Sequence, residues 1–292
     1  TVAQINGDRE NRSFLPGYPL RETIVATQDW DAMAACDVLL LVTPAQHLRS
    51  TLQTLPQSDS TLILCCKGIE AESRMLMSEV AAELRPDNPL AVLSGPTFAH
   101  EVAQGLPTAL TLACESEELW HRLNPLIAKT GFRPYFSADV IGAEIGGAVK
   151  NVLAIGCGVV DGAGLGQNAR ASLISRGFAE MLRYGEARGA RAETLSGLCG
   201  LGDLVLTCSS TSSRNFSLGR GLGEGQSAES LLSDRATVAE GASTAPVLQQ
   251  DAKARGIDMP IVEAVCALLA GTADVQSVVT RLMTRPLVSE RR

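Results

Sequence analysis

DVLLLVT, residues 37–43, is an unbroken apolar run of strand length, closed by threonine and followed by Pro44. A strand with water on one face alternates apolar and polar side chains, whereas a strand covered on both faces reads as continuously apolar. The run therefore predicts a strand covered on both faces. TLILCCK (61–67) and PLAVLSG (89–95) repeat the pattern. Between these strands, Ala45 to Leu55 and Ser73 to Leu84 read as helices, with Ser73 as the candidate N-cap. Upstream, ETIVAT (22–27) predicts a short strand and Gln28 to Ala35 a helix. Downstream, TALTLAC (108–114) and RPYFS (133–137) predict strands around a helix from about Ser116 to Lys129. Strands alternating with helices imply an α/β fold with a parallel, doubly wound sheet.

The pattern changes near Asp139. From there on the sequence carries almost no strand signal and predicts helices over roughly 140–160, 168–189, 201–208, 214–222, 227–233, 244–255, 260–270 and 274–284. The expected division is a sheet domain over 1–138 followed by an all-helical domain over 139–292.

Composition narrows the function classes. The 292 residues are 45% hydrophobic and 20% charged, as in ordinary globular proteins. A net charge of -7 disfavours general nucleic-acid binding, so an anionic substrate must be held by a local cluster of Lys and Arg. No apolar run is read as long enough to span a membrane. The eight cysteines are scattered without a CxxC pair, which suits reduced thiols in a cytoplasmic protein. His47, His100 and His121 are not paired at ligand spacing, and no metal site is expected.

The chemistry begins with GGAVKNVLAIGCGVVDG (146–162), where Lys150 stands among Gly, Ala, Val and Leu. A buried lysine loses hydration and its pKa falls toward the range of a working base. The plainer reading is a lysine that snorkels to the surface. Helical spacing places Gly146, Lys150 and Ala154 on one face, so small neighbours leave room beside the amine. Doubly wound sheets bind ligands at the carboxyl ends of their strands. Thr43-Pro44, Lys67-Gly68 and the turn Ser94-Gly95-Pro96-Thr97 fall there, although turns favour Gly, Pro, Ser and Thr for backbone reasons alone. In the helical half, Asp203 is the only acid between Glu193 and Glu224, either a dipole-favoured acid at a helix start or a partner for Lys150. Arg214 offers a planar fork to a phosphate. Lysine as proton donor, cations as a phosphate clamp and an α/β domain together suit reduction of a carbonyl beside a phosphate.

Seven stretches carry a family resemblance: NRSFLPG (11–17), CCKGIE (65–70), SGPTFAHEVAQGLPTA (94–109), IGAEIGGAVKNVLAIGCGVVDG (141–162), NARASLISRGFAEM (168–181), GLCGLGDLVLTCSSTSSRN (197–215) and VAEG (238–241). In these the chain resembles the NAD(P)-dependent glycerol-3-phosphate dehydrogenases of the bacterial type. The resemblance implies a Rossmann-like dinucleotide-binding domain and a helical substrate domain. It implies reduction of dihydroxyacetone phosphate to sn-glycerol 3-phosphate with NAD or NADP as cofactor, feeding phospholipid synthesis. By resemblance Lys150 is the catalytic acid/base. Lys67, Gly95, Thr97, Lys150, Asp203, Ser213, Arg214 and Asn215 surround the substrate, and Lys67, Ala99, Arg214, Val238 and Glu240 meet the dinucleotide. Apolar helix faces permit a homodimer.

One departure stands out. The family opens with a strand, a Gly-rich turn, a helix and a second strand, and TVAQINGDRE (1–10) corresponds to the segment just after them. A unit of roughly 30 residues is thus expected to be missing, and the chain is expected to be a fragment rather than a natural truncation. Without the family's first strand beside it, DVLLLVT is expected to expose backbone and apolar surface. GLGQNA (164–169) joins two helices and does not replace it. The alternatives are a truncated homologue that binds a phosphorylated triose or a partner without turnover, and a related β-hydroxyacid dehydrogenase.

Overall fold

A computed structural model describes residues 1–129, 131–233 and 239–286. The chain opens with α1 (Val2–Asp8) and a two-stranded hairpin of β1 (Glu10–Asn11) and β2 (Leu15–Pro19), then enters α2 (Trp30–Ala34). The main sheet follows in chain order as β3 (Val38–Leu41), β4 (Thr61–Leu64), β5 (Leu90–Ser94), β6 (Thr108–Cys114) and β7 (Phe132–Ser137). Its connections carry α3 (Leu48–Thr54), α4 (Met77–Leu84), α5 (Ala99–Ala103) and α6 (Glu117–Ile127). Leu48, Leu52, Met77, Val80 and Ala81 cover one face of the sheet against Leu41, Leu62, Leu64 and Val92. Leu119, Trp120 and Leu123 of α6 cover the other against Ile63, Ala91 and Leu112.

Three sequence expectations need correction. Residues 22–27 form no strand, and Val25 is 75% exposed, because no strand lies beside them to take their backbone hydrogen bonds. On the neighbouring β3, Leu40 is likewise half exposed at the edge of the sheet. The sheet is not wholly parallel: β6 runs antiparallel to β5, while the other three pairings are parallel. A parallel crossover needs a dozen or more residues with a helix that runs back along the sheet. The link between β5 and β6 carries only the five-residue α5, too short to run back along the sheet, and the chain enters β6 in the reverse direction. Ser73 does not cap α4. Its hydroxyl is turned to Glu70, and Leu76 is the residue before the helix, its N–H bonded to Glu79.

The helical region comprises α7 (Val140–Gly162), α8 (Gly166–Arg188), α9 (Ala192–Leu195), α10 (Asp203–Cys208), α11 (Arg214–Gly223), α12 (Ala228–Leu232), α13 (Glu240–Ala254), α14 (Pro260–Leu269) and α15 (Val275–Met283). One turn of π-helix, Leu198–Gly202, leads into α10. Asp139 caps α7 by accepting from the Gly142 N–H at 2.8 Å. By length and composition α7 could cross a membrane, contrary to the expectation that no apolar run is that long. Its apolarity has another cause: residues 142–160 are all buried, with α8, α10, α11, α13 and α14 packed around it.

The tightest of these contacts is between α7 and α11. A Cβ at Gly158 would lie 2.0 Å from the Phe216 carbonyl oxygen, and one at Gly219 would lie 1.9 Å from that of Ile155. Glycine on both sides brings backbone against backbone. This holds the start of α11, with Arg214 and Asn215, beside the middle of α7.

Candidate active site

Lys150 projects from the middle of α7 and is 7% exposed, so it does not snorkel. Its Nζ donates to Asp203 Oδ1 at 2.5 Å and to Thr207 Oγ1 at 2.9 Å. Lys67, just beyond β4, donates to the other oxygen, Oδ2, of the same carboxylate at 2.8 Å. One buried carboxylate thus bridges two ammonium groups from opposite halves of the chain. Asp203 is the first residue of α10, directly after the π-turn. Thr207, one turn on, donates to Asp203 Oδ1 at 3.2 Å and closes the cluster.

The two lysines titrate apart. Burial is the main force that lowers Lys150, helped by the charge of Lys67, and Asp203 only partly restores it, leaving the amine at about 7. Burial also pulls on Lys67, but the Asp203 charge and hydrogen bond outweigh it and leave Lys67 above the ordinary lysine value. A neighbouring pair whose pKa values are driven apart is the arrangement expected of a proton-transfer group beside a permanent cation.

The turn after β5 forms the wall of the site. Gly95 has φ +153, and a Cβ there would meet Leu110 Cβ at 2.8 Å, so only glycine fits. Its carbonyl accepts from Lys67 Nζ at 3.5 Å and from Thr97 Oγ1 at 3.2 Å. Room beside the lysines comes from Gly147, where a Cβ would lie 3.1 Å from Ser94 Oγ and 3.2 Å from Lys67 Cγ. Gly146 does something else: a Cβ there would strike the Cys199 carbonyl at 2.4 Å, so it seats α7 against the π-turn. The expectation that Gly146 clears space for a ligand is corrected accordingly.

Other expected residues lie around this centre in different states. Asn215 Oδ1 accepts from Gly241 N at 2.9 Å and ties α11 to the start of α13. Glu240, the first residue of α13, accepts from Ala45 N at 3.3 Å. Burial raises its carboxyl, while Lys67, Arg214 and Lys150 lower it through their charges. Ser213 is buried and its Oγ accepts from Phe216 N at 3.2 Å, as the cap of α11. Arg214 is exposed on the first turn of that helix, and Ala99 is exposed at the start of α5. Val238 lies outside the described residues. Thr207 was not singled out from the sequence, although its spacing of four from Asp203 on one helix would have placed both on one face.

A nicotinamide dinucleotide fits the polar groups at the carboxyl ends of the strands. Thr43 Oγ1, two residues past β3, and Ser94 Oγ, at the end of β5, are buried with no hydrogen-bond partner among the described residues. Buried polar atoms are nearly always paired in a finished site. These two, with Lys67 and Glu240, offer donors and acceptors where a doubly wound sheet receives such a ligand.

Residues 1–120 match the family described as NAD-dependent glycerol-3-phosphate dehydrogenase N-terminus, and residues 139–280 match the corresponding C-terminus family. The chain belongs to the NAD-dependent glycerol-3-phosphate dehydrogenases. It is 65% identical over 289 residues to glycerol-3-phosphate dehydrogenase [NAD(P)+] of Erythrobacter litoralis, covering 99% of this chain and 87% of that protein. It is 64% identical over 290 residues to the enzyme of the same name from Novosphingobium aromaticivorans, with 99% and 88% covered. The crystal structure of glycerol-3-phosphate dehydrogenase from Coxiella burnetii superposes with a TM-score of 0.93 at 36% identity, covering 97% of this chain and 88% of that one. D-mandelate dehydrogenase shares the fold alone, at 13% identity and a TM-score of 0.55. The family resemblance read from the sequence therefore holds, and the β-hydroxyacid dehydrogenase alternative is set aside.

Proposed function

We propose that this chain reduces dihydroxyacetone phosphate to sn-glycerol 3-phosphate with NADH or NADPH, in the cytoplasm, to supply glycerophospholipid synthesis. The observation that carries the reading is the carboxylate of Asp203 held between Lys67 and Lys150, within a chain of this family. A reduced nicotinamide dinucleotide, when bound, supplies hydride to the substrate's carbonyl carbon. Lys150, poised near neutrality, gives its proton to the carbonyl oxygen as negative charge develops there. Asp203 and Thr207 hold the amine on its line of approach. Lys67 stays cationic and faces substrate and cofactor together, with Gly95 and Thr97 shaping the wall. Arg214, with Ser213 and Asn215 beside it, takes the phosphate. Ala99, Val238 and Glu240 border the dinucleotide. Residues 1–138 act as the dinucleotide-binding domain and 139–292 as the substrate domain; a homodimer is compatible with this plan.

The test follows oxidation of NADH and NADPH by dihydroxyacetone phosphate. It uses the purified chain and the same chain preceded by a Gly-rich strand–turn–helix–strand unit. Turnover by either supports the reading. If neither turns over and neither binds dihydroxyacetone phosphate, the reading fails.

A further inference from the structure

Away from the lysines, a cleft of about 490 Å³ opens where the loop after β4 meets α8 and α13. Ser73, Arg74, Glu79, Arg188, Asp251 and Arg255 line it. Three guanidinium groups thus face two carboxylates. Asp251 sits at the base, its side chain 6% exposed, and its Oδ2 accepts from Tyr184 at 2.7 Å, Arg255 Nε at 2.9 Å and Arg188 Nη1 at 3.0 Å. Glu79 is engaged by Arg188 Nη2 at 2.8 Å and also accepts from Leu76 N. Both acids are therefore already committed, chiefly to Arg188.

The other two arginines have donors to spare. Arg255 meets Asp251 through Nε, and its two Nη groups have no protein partner among the described residues. Arg74 has no hydrogen-bond or ion-pair partner for its guanidinium among the described residues, and it is exposed. Its backbone takes φ 59, one of two positive values among the described non-glycine residues. Such a conformation is costly for a long side chain and survives where surrounding structure holds it. Here the Ile69–Leu76 bridge, with both side chains buried, and the Arg74 N–H to Glu70 carbonyl bond at 2.9 Å hold the loop. The loop presents Arg74 and the Ser73 hydroxyl on the rim, opposite Arg255 on the C-cap of α13.

We propose that this cleft is a second anion site, for a small oxyanion carrying at least two negative charges, such as a diphosphate or a phosphate ester. Planar guanidinium forks suit phosphate oxygens in pairs. The net positive charge of the lining, over acids already paired, favours a dianion over a neutral ligand. The site shares no residue with the lysine centre.

Inorganic pyrophosphate is the probe, titrated calorimetrically into the full chain at constant ionic strength. Because the lysine centre also attracts phosphate, the titration is repeated on Lys67→Ala and on Arg74→Ala/Arg255→Ala. The expected result is one binding event that persists in Lys67→Ala and weakens at least about tenfold in the double variant, the scale of one lost charge-assisted bidentate contact. Arg74→Glu, a change at an exposed position, should abolish it while leaving the melting temperature near that of the parent. The proposal is overturned if pyrophosphate does not bind, if the double variant and Arg74→Glu bind it unchanged, or if Lys67→Ala alone loses it. None of these outcomes bears on whether the chain reduces dihydroxyacetone phosphate.

Discussion

Lys150 and Lys67 are joined through a single carboxylate, at 2.5 Å on one oxygen of Asp203 and 2.8 Å on the other. The shared anion does not treat them equally: Lys150 falls to about 7 while Lys67 rises. Burial pulls both amines down; at Lys67 the charge and hydrogen bond of Asp203 outweigh it, whereas at Lys150 burial and the charge of Lys67 together outweigh Asp203.

The first prediction concerns pH. Reduction needs Lys150 with its proton, and oxidation of glycerol 3-phosphate needs it without. Reduction should fall as pH rises through about 7, and oxidation should rise through the same value. Profiles of kcat in both directions check this. Two limbs that both lie well above neutrality would refute Lys150 as the group that moves.

Replacing Lys150 itself should be more severe. Lys150→Met keeps the packing and removes the proton, so kcat should drop by roughly 10²–10⁴. Asp203 keeps Lys67 as partner in this variant, so the fold should survive. Near-normal turnover in a folded Lys150→Met chain would end the assignment.

Asp203→Asn removes the charge that two ammonium groups share. Losing one partner of a buried ion pair costs roughly 3–5 kcal/mol. Without the Asp203 charge, the main force opposing burial and Lys67 is lost, so the Lys150 limb of the pH profile should move to lower pH. Denaturant unfolding and a kcat profile read the two effects separately, and a structural role alone would leave the limb in place.

A second pH effect is expected from Glu180 on α8. It is 1% exposed and accepts from Ile261 N and Val262 N at the start of α14. Burial raises its carboxyl from 4.5 to about 7. The folded chain therefore holds this proton more tightly than the unfolded chain. The resulting stability is full below about 4.5 and is lost as pH rises through about 7. The change is on the order of 3 kcal/mol. Glu144, raised to about 7 in the same way, titrates alongside it. Glu180→Gln should therefore flatten part of the slope of stability against pH between 5 and 7.5 (approximate limits); an unchanged slope would argue against the shift.

Close helix contact gives the last prediction. Gly158→Ala drives a methyl group to 2.0 Å from the Phe216 carbonyl, so α7 and α11 must separate. The cost should reach the upper end of overpacking, about 3 kcal/mol or more. Gly7→Ala, with no atom within 4 Å of the added carbon, is the control and should be nearly neutral in thermal melts.

Much of this was written locally in the chain. Unbroken apolar runs announced β3, β4 and β5; in β4 every residue is buried, as a strand covered on both faces requires, whereas Leu40 of the edge strand β3 is half exposed. The helices from Asp139 onward followed from periodicity, and the lysine in GGAVKNVLA was conspicuous for its neighbours alone. What the sequence by itself determined was therefore the type of each element and the residues able to do chemistry. Tertiary structure decided how they meet. ETIVAT has the composition of a strand, but a strand exists only beside another, and none lies there. β6 enters in the reverse direction after a link that carries only the short α5. Above all, Lys67 is 136 residues from Asp203 and Lys150 is 53, so no local pattern could show that one carboxylate would bridge both amines. Burial and charge at that junction set which lysine gives up its proton, and both quantities exist only once the chain is packed.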